Sequence, residues 1–349
     1  MNQKTLQWIF TGVGVLLLLA FPIVYEDQPY LVHIGIVALF YAILASSWSL
    51  LAGYAGQFSF AHMAFMAIGA YTTGVLGKFW GVSPWLGIPV GILMGGVWGF
   101  LVGVLVLRLR RTYLALFTIG FSEILRVAFN AEIDITDGPN GLEFTPLFPE
   151  GVNLFGVYFN ATHKTPPYLV MLILFLLSMV IMYWLAGSRF GLFVRAIRED
   201  EEAASALGVH VVSYRVLVFV VTSMIAAAAG AVEGHYIGVV TPNIFLILQM
   251  SLVIAMAVIG GLESLVGAAI GAIIIEFMLE FLRTSFEIGP LTIDMTVWRL
   301  VFFGALLMIT LRFFGNGLIQ PLIWRLTRAG TAEETVAKRV AAAGGTSHD

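Results

Sequence analysis

Long apolar stretches alternate with short polar ones along most of this chain. A helix needs about 20 mostly apolar residues to cross the hydrocarbon core of a bilayer, and ten stretches approach that length. The pattern therefore predicts an all-α fold, a polytopic membrane helical bundle of about ten transmembrane spans. The predicted spans are residues 6–24, 31–52, 59–77, 84–107, 113–130, 167–187, 214–239, 244–260, 265–282 and 297–314.

The composition of the 349 residues agrees with a membrane location and excludes several kinds of site. Hydrophobic residues make up 59% of the chain and charged residues 11%, whereas soluble domains contain about 45–50% apolar residues. Because there is no cysteine, disulfides and thiolate metal sites are excluded. The histidines are too scattered for a metal-ligand motif, so we predict no metal site.

The distribution of lysine and arginine predicts which loops face the cytoplasm. Cytoplasmic loops carry an excess of these residues, and most of them fall on one side if the amino terminus is inside. With ten spans, both termini are then cytoplasmic. We expect one membrane domain, residues 1–324, and a cytoplasmic tail, residues 325–349. Residues 189–213 form a cytoplasmic loop in this arrangement, and the acidic residues 131–166 form an extracytoplasmic loop.

Four glycines mark one face of the fourth predicted span. Gly91, Gly95, Gly99 and Gly103 recur at every fourth position. A face without side chains lets a neighbouring helix approach backbone to backbone. We therefore predict that these glycines serve helix packing rather than ligand binding.

A polar interruption with two glycines separates the second and third spans. Gly53 and Gly56 would break a helix there, and Gln57, Ser59 and His62 lie near the break. Non-helical backbone at membrane depth is tolerated where it is buried in protein or lines a water-filled cavity. Two interpretations stay open, a cytoplasmic turn and a re-entrant segment whose polar side chains line a translocation path.

Several ionisable residues lie inside the predicted spans. Glu123 and Arg126 are three positions apart, as are Glu280 and Arg283, and residues at that spacing share a helix face. We expect these charges to pair, because an isolated charge in a membrane is costly. Intramembrane ionisable residues are also functional candidates. Glu123 and Glu276 are therefore additional candidates for the translocation path.

A strongly polar stretch, RAIREDEEAASALG, occupies residues 195–208. Good helix formers follow acidic residues that favour a helix start, and a glycine ends the run. This pattern predicts a helix of about two turns that either folds back on its own bundle or is presented to a cytoplasmic partner. Arg195 and Arg198 are expected to bind a partner or lipid headgroups, with solvated charge as the alternative. The predicted surface contains Glu201, Glu202, Ala203, Ala204, Leu207 and Gly208.

Several blocks of the sequence resemble one transporter family. They are GYAGQFSFAHMAFMAIGAYTTGVL, RTYLALFTIGFSEILRVAFN with the following TDGPNGL, RFGLFVRAIREDEEAASALGV, and VIGGLESLVGAAIGA. They look like successive blocks of the branched-chain amino acid permease family of ABC importers, of the LivM kind. Glu202-Ala203-Ala204 and the later Gly208 also resemble the EAA-type loop of importer permeases, although the Leu-Pro that often follows is absent. The first span and the tail are not covered.

The resemblance implies a transport subunit of the bacterial inner membrane that is not itself an enzyme. Residues 201–208 would be its ATPase-coupling helix. The chain has no G-x-x-x-x-G-K-[ST] loop, because Val75 follows Gly69 and Gly74 where lysine is needed. ATP and Mg are thus expected on partner ATPases, with no cofactor on this chain. The implied partners are a second, LivH-like permease, two cytoplasmic ABC ATPases, an extracytoplasmic solute-binding protein and membrane lipid, with no nucleic acid.

Other classes of function stay open at this point. A proton-coupled secondary transporter of a small polar solute would use Glu123, Glu233 or Glu276 as proton sites and would need no ATPase. A membrane scaffold would move no solute. Similar permeases serve urea, amides or aromatic acids, so the resemblance favours branched-chain or related amino acids without selecting the solute.

Overall fold

A computed structural model of the protein describes residues 3–106, 111–154, 157–160, 162–283, 286–288, 291–293, 295–314 and 317–319. Within these ranges, each of the ten predicted apolar segments forms an α-helix, and three further α-helices, α6, α8 and α9, lie in polar connections. The helices are α1 (Gln3–Val24), α2 (Pro29–Ser49), α3 (His62–Trp80), α4 (Pro84–Val106), α5 (Arg111–Ala131), α6 (Ile133–Thr136), α7 (Thr165–Gly187), α8 (Arg189–Glu199), α9 (Glu201–Ala206), α10 (Val211–Ile237), α11 (Ile247–Gly260), α12 (Leu265–Phe281) and α13 (Met295–Phe313).

Short strands interrupt the otherwise helical fold. They are β1 (Leu142–Glu143), β2 (Val152–Leu154), β3 (Val157–Phe159), β4 (Val239–Val240), β5 (Phe286–Ile288) and β6 (Leu291–Ile293). The antiparallel pairs are β1 with β4, β2 with β3, and β5 with β6. The all-α prediction omitted them because strands of two or three residues are too short to show an alternating pattern.

Five helices in the described part of the chain are long and apolar enough to cross a membrane, or six if a bent pair is one span. The bent pair is α11 and α12, which meet at 119°. These helices support a multi-pass membrane protein. The count of ten crossings and the cytoplasmic termini stay predictions, since α11 and α12 have only 14 and 17 residues. The predicted tail, residues 325–349, lies outside the described residues.

The centre of the bundle is built around α2 and α10. We compare the most apolar 18-residue stretch of each helix. The chain buries 89% of this stretch in Pro29–Tyr54, which contains α2, and 78% in α10, but only 17% in α5. A helix that is apolar on every side belongs in the interior of a protein or in a lipid environment. Since α2 is covered by its own chain, its apolar residues meet protein rather than lipid.

The four glycines of α4 lie on the face that contacts α3 and α10. A Cβ atom at Gly91 would lie 2.8 Å from the carbonyl oxygen of Gly69, and one at Gly103 would lie 3.4 Å from the Cβ of Phe219. At Gly99 a Cβ would overlap the side chain of Ser223, and at Gly95 it would overlap Ala227. The absence of side chains therefore permits the close approach of these helices.

The polar connections gather at two ends of the bundle. The α8–α9 end contains Gly53, Arg198 and Glu263, which are joined by hydrogen bonds. The β1–β4 end joins the loop after α5 to the end of α10. It also contains the contact of Lys78 with Asp137. Segments predicted on the same side of the membrane thus meet at the same end.

Candidate functional site

Helix α9 is short, and its two ends are defined by local hydrogen bonds. The Asp200 carboxylate accepts bonds from the backbone N–H groups of Glu202 and Ala203, at 3.0 Å each. Gly208 has a φ of +84°, a left-handed conformation that glycine adopts without a steric penalty. Its N–H donates to the carbonyl oxygen of Ser205 at 2.9 Å. The predicted polar helix is present, with regular helix limited to residues 201–206.

One side of α9 packs on the bundle and the other is open. Ala204 is 4% exposed, whereas Leu207 is 86% exposed. Ala203 and Glu202 are also exposed. Among the apolar residues Ala203, Ala204 and Leu207, the chain itself covers only Ala204. Ala203 and Leu207 thus remain an apolar surface at the α8–α9 end.

The chain also holds α9 by an ion pair at its start. Arg215, on α10, donates to both carboxylate oxygens of Glu201, at 3.0 and 2.7 Å. This contact connects the polar helix to a central helix of the bundle. A displacement of α9 would therefore act directly on α10.

Helix α8 is a separate amphipathic element that the sequence interpretation did not distinguish from the rest of the loop. Gly191, Val194 and Ile197 are buried, whereas the residues between them are exposed, namely Leu192, Phe193, Arg195 and Ala196. The three-residue spacing of these apolar positions is the signal that identifies the helix. It begins at Arg189, directly after Ser188, at the end of α7.

Two of the three arginines of α8, Arg195 and Arg198, contact residues near the end of α2. Arg198 donates to the carbonyl oxygen of Gly53 and pairs with Glu263. The guanidinium of Arg195 lies over the ring of Tyr54, 4.6 Å from its centroid. Neither arginine is simply solvated charge. Their binding to a partner or to headgroups stays a prediction.

Gly53 also touches the turn between α11 and α12. The hydroxyl of Ser49 donates to the carbonyl oxygen of Leu262 at 2.7 Å, and a Cβ atom at Gly53 would overlap that same oxygen. The helix following α2 changes to a π-helix at Leu50–Tyr54, and residues 55–61 are not helical. We call Arg198, Gly53 and Glu263 the arginine junction, since they connect α8, the end of α2 and the α11–α12 turn.

The candidate path residues after the break are enclosed by the chain. Gln57, Ser59 and His62 are all buried. Gln57 donates to the carbonyl oxygen of Arg215 at 3.3 Å. The backbone carbonyl of Ser59 accepts a bond from the indole of Trp48 at 2.7 Å. The bonds of Gln57 and Ser59 therefore stabilise the non-helical segment in this conformation, and the role of all three residues in a path stays a prediction.

The charged candidates within the apolar helices lie in different surroundings. Glu123 pairs with Arg126 at 2.5 Å on the outside of the bundle, so the predicted ion pair is present. Glu276 is half-buried on α12, where it interacts electrostatically with the buried Glu233. Glu280 pairs with Arg283 at 3.1 Å. The structure does not bring Glu123 and Glu276 together with the residues of the α2 break.

A separate cleft opens at the β1–β4 end. Its volume is about 730 Å³. Lys78 donates to both carboxylate oxygens of Asp137 at 2.8 Å in this cleft. The sequence analysis did not identify it as a site, because its walls come from three distant segments. The lining residues are Gly74, Gly77, Lys78, Asp137, Asn140, Gly141, Glu143, Phe144, Thr145, Pro146, His235 and Val239.

Across the described ranges, no group of three or more His, Asp or Glu residues is arranged to hold a metal ion.

Comparisons with known proteins identify one transporter family. Residues 30–311 match the family model described as branched-chain amino acid transport system, permease component. The chain is 32% identical over 290 residues to the high-affinity branched-chain amino acid transport permease LivM of Escherichia coli K12, covering 77% of this chain and 68% of LivM. It is 27% identical to LivH of Salmonella typhimurium LT2, covering 67% of this chain and 79% of LivH. No solved structure matches.

Proposed function

The chain belongs to the branched-chain amino acid transport permease family, and from that premise we propose that it is a permease subunit of an ATP-driven importer in the bacterial inner membrane. Its solutes in this proposal are branched-chain or related amino acids. The observation that supports the coupling role is the exposed surface of α9, where Leu207 is 86% exposed while Ala204 fixes the helix to the bundle. An apolar side chain at the tip of a polar loop suits a protein partner.

The proposal includes the partners that such a permease requires. The chain is similar both to LivM and to LivH, at 32% and 27% identity, so a second, LivH-like permease would pack beside it in the membrane. Two cytoplasmic ATPases would bind ATP and Mg and dock on α9. A solute-binding protein would deliver solute at the β1–β4 end.

We further propose the predicted topology of ten spans with both termini in the cytoplasm. The membrane domain would then be residues 1–324, and residues 325–349 would be the tail. The α8–α9 end, within residues 189–213, would face the cytoplasm, and residues 131–166 would face outward. The clustering of segments at two ends of the bundle supports this arrangement.

The contacts of α8 and α9 suggest how motion of the ATPases reaches the membrane helices. The ion pair between Glu201 and Arg215 would transmit displacement of α9 to α10. The arginine junction would transmit it to the end of α2 and to the α11–α12 turn. A rigid-body shift of packed helices can then alternate access between the two sides. Gln57, Ser59 and His62 would line the inner part of the path when these helices separate.

The proposal is tested by transport in proteoliposomes. The chain is purified with its proposed second permease and ATPases, and uptake of radiolabelled L-leucine is measured with the binding protein outside. We expect uptake that needs ATP inside and persists without a proton gradient. Uptake driven by a proton gradient without ATP would instead identify the secondary transporter. Absence of flux for every amino acid tested, with assembly intact, would contradict the proposed function.

A further inference from the structure

One residue that lines the cleft at the β1–β4 end has a buried nitrogen atom without a hydrogen-bond partner among the described residues. His235, which lines the cleft, is 3% exposed. Its Nδ1 atom lies 2.7 Å from the carbonyl oxygen of Thr145. Its Nε2 atom is buried and has no partner among the described residues. Buried polar groups in proteins are nearly always hydrogen-bonded, so this nitrogen is a candidate ligand contact.

The tautomer of His235 determines what this nitrogen can bind. A carbonyl oxygen only accepts hydrogen bonds, so Nδ1 must carry the proton in the bond to Thr145. In the neutral imidazole, Nε2 is then an acceptor. A ligand group that donates N–H bonds, such as an ammonium group, would satisfy it.

Charges of both signs line the same cleft. Lys78 and Asp137 pair at 2.8 Å, and the carboxylate of Glu143 is a further acidic group in the lining. A molecule that carries both an ammonium and a carboxylate group can separate this pair, with its ammonium on Asp137 and its carboxylate on Lys78. Each charge then still has a partner of opposite sign. A molecule with one charge would leave one member of the pair without its partner.

The remaining walls suit a small apolar side chain. Phe144, Pro146 and Val239 contribute apolar surface, and the ring of Phe144 lies edge-on to His235, with centroids 5.3 Å apart. The volume of about 730 Å³ falls within the usual range of small-molecule sites, about 300–1,000 Å³. Gly77 leaves its part of the wall open, because a Cβ atom there would have no neighbour closer than 3.8 Å.

We propose that this cleft is a binding site for a zwitterionic α-amino acid with an apolar side chain, at the mouth of the permease. Lys78 binds the α-carboxylate, and Nε2 of His235 together with Asp137 binds the α-ammonium group. Phe144 and Val239 contact the side chain. This inference rests on the proposed transport function, because it places the site where solute would enter from outside.

The experiment measures equilibrium binding of radiolabelled L-leucine to the full complex in lipid nanodiscs, without the binding protein. The test variant is Gly77→Leu. Gly77 lines the cleft, and a Cβ atom there would have no neighbour closer than 3.8 Å, so leucine adds bulk at the cleft wall without a clash at its base. The control is Gly120→Leu, at a helical glycine with nothing within 4 Å of its Cβ position. We expect at least tenfold weaker binding for Gly77→Leu and unchanged binding for the control.

Two further measurements address the chemistry of the ligand. We expect 4-methylpentanoate, which lacks the ammonium group, and 3-methylbutylamine, which lacks the carboxylate, to compete at least tenfold less well than L-leucine. The double variant Lys78→Met/Asp137→Asn removes both charges together, and we expect it to lose this preference.

The outcomes separate this inference from the proposed function. ATP-dependent L-leucine uptake with binding that is absent, or unaffected by Gly77→Leu, would overturn the cleft site and leave the function intact. Equal competition by the three compounds would also overturn it. Cleft-dependent binding without any ATP-dependent uptake would overturn the function and keep the site.

Discussion

Arg198 on α8 donates a hydrogen bond to the backbone carbonyl of Gly53, which lies 145 positions earlier in the chain. The same guanidinium pairs with Glu263, 65 positions later. One side chain of the polar loop therefore contacts both the break after α2 and the α11–α12 turn. This geometry makes the arginine junction a direct connection from the loop to the end of α2 and to the α11–α12 turn.

Replacing Arg198 with lysine tests that connection. Lysine keeps the charge but lacks the planar fork that reaches two acceptors at once. We expect Arg198→Lys to assemble normally and to lose most of the ATP hydrolysis that solute and binding protein stimulate, by about tenfold. The measurement is ATPase activity of the reconstituted complex. Arg189→Lys, at the exposed first residue of the same helix, is the control, and equal losses in the two variants would contradict the role of the junction.

The exposed leucine of α9 is expected to bind the ATPase. Burial of a leucine side chain contributes about 1.5–3 kcal/mol, and about 1.4 kcal/mol corresponds to a tenfold change in affinity. Leu207→Glu should therefore weaken ATPase binding by tenfold or more without unfolding the permease, because the residue is 86% exposed in the chain alone. Titration of purified ATPase onto the permease pair measures this effect. Leu207→Met should retain binding, and normal affinity of Leu207→Glu would exclude the contact.

The cap at Asp200 is expected to hold α9 in its helical form. Loss of an N-cap acceptor costs about 1 kcal/mol. We expect Asp200→Ala to increase hydrogen exchange of the amides in residues 201–206 by roughly fivefold, since about 1.4 kcal/mol is a factor of ten. Asp200→Ser should restore protection because its hydroxyl can accept the same bonds. Equal exchange in the alanine and serine variants would show that the cap is unimportant.

The contact between α4 and α10 predicts a pair of compensating substitutions. A Cβ atom at Gly99 would overlap the side chain of Ser223, and overpacking typically costs about 1–3 kcal/mol. Gly99→Ala should lower the midpoint of thermal unfolding in detergent, and Ser223→Gly in the same chain should recover part of the loss. Gly120→Ala is the control, as its Cβ position is open. Additive effects of the two substitutions would contradict direct contact.

The sequence predicted those parts of the fold that depend on local patterns. The length of each apolar stretch predicted a long helix. The acidic residues 199–200 and the later Gly208 predicted α9. The i to i+3 spacing identified the pair of Glu123 and Arg126. Each of these signals lies within a few residues of the structure that it specifies.

The features that the sequence did not reveal depend on contacts between distant segments. The sequence shows that Arg198 is basic, but its acceptor is the backbone carbonyl oxygen of Gly53. Every residue has such an oxygen, so the residue type at position 53 does not reveal the contact. The β1–β4 pairing joins Leu142 to Val240, and helices α7 to α10 lie between them in the sequence. The cleft with His235 went unrecognised because Lys78, Asp137 and His235 come from segments that only the fold brings together.

The position of α2 at the centre of the bundle has a consequence for biogenesis. Its hydroxyl at Ser46 donates to the backbone oxygen of Leu265, 219 positions later, and that at Ser49 donates to Leu262, 213 positions later. The ribosome thus synthesises α2 long before it synthesises the residues that accept these hydrogen bonds and the later helices that cover α2. Until the α11–α12 hairpin inserts, a nascent chain must shelter this segment in lipid or in the insertion machinery, and truncation before that hairpin would leave an uncovered substrate for membrane proteases.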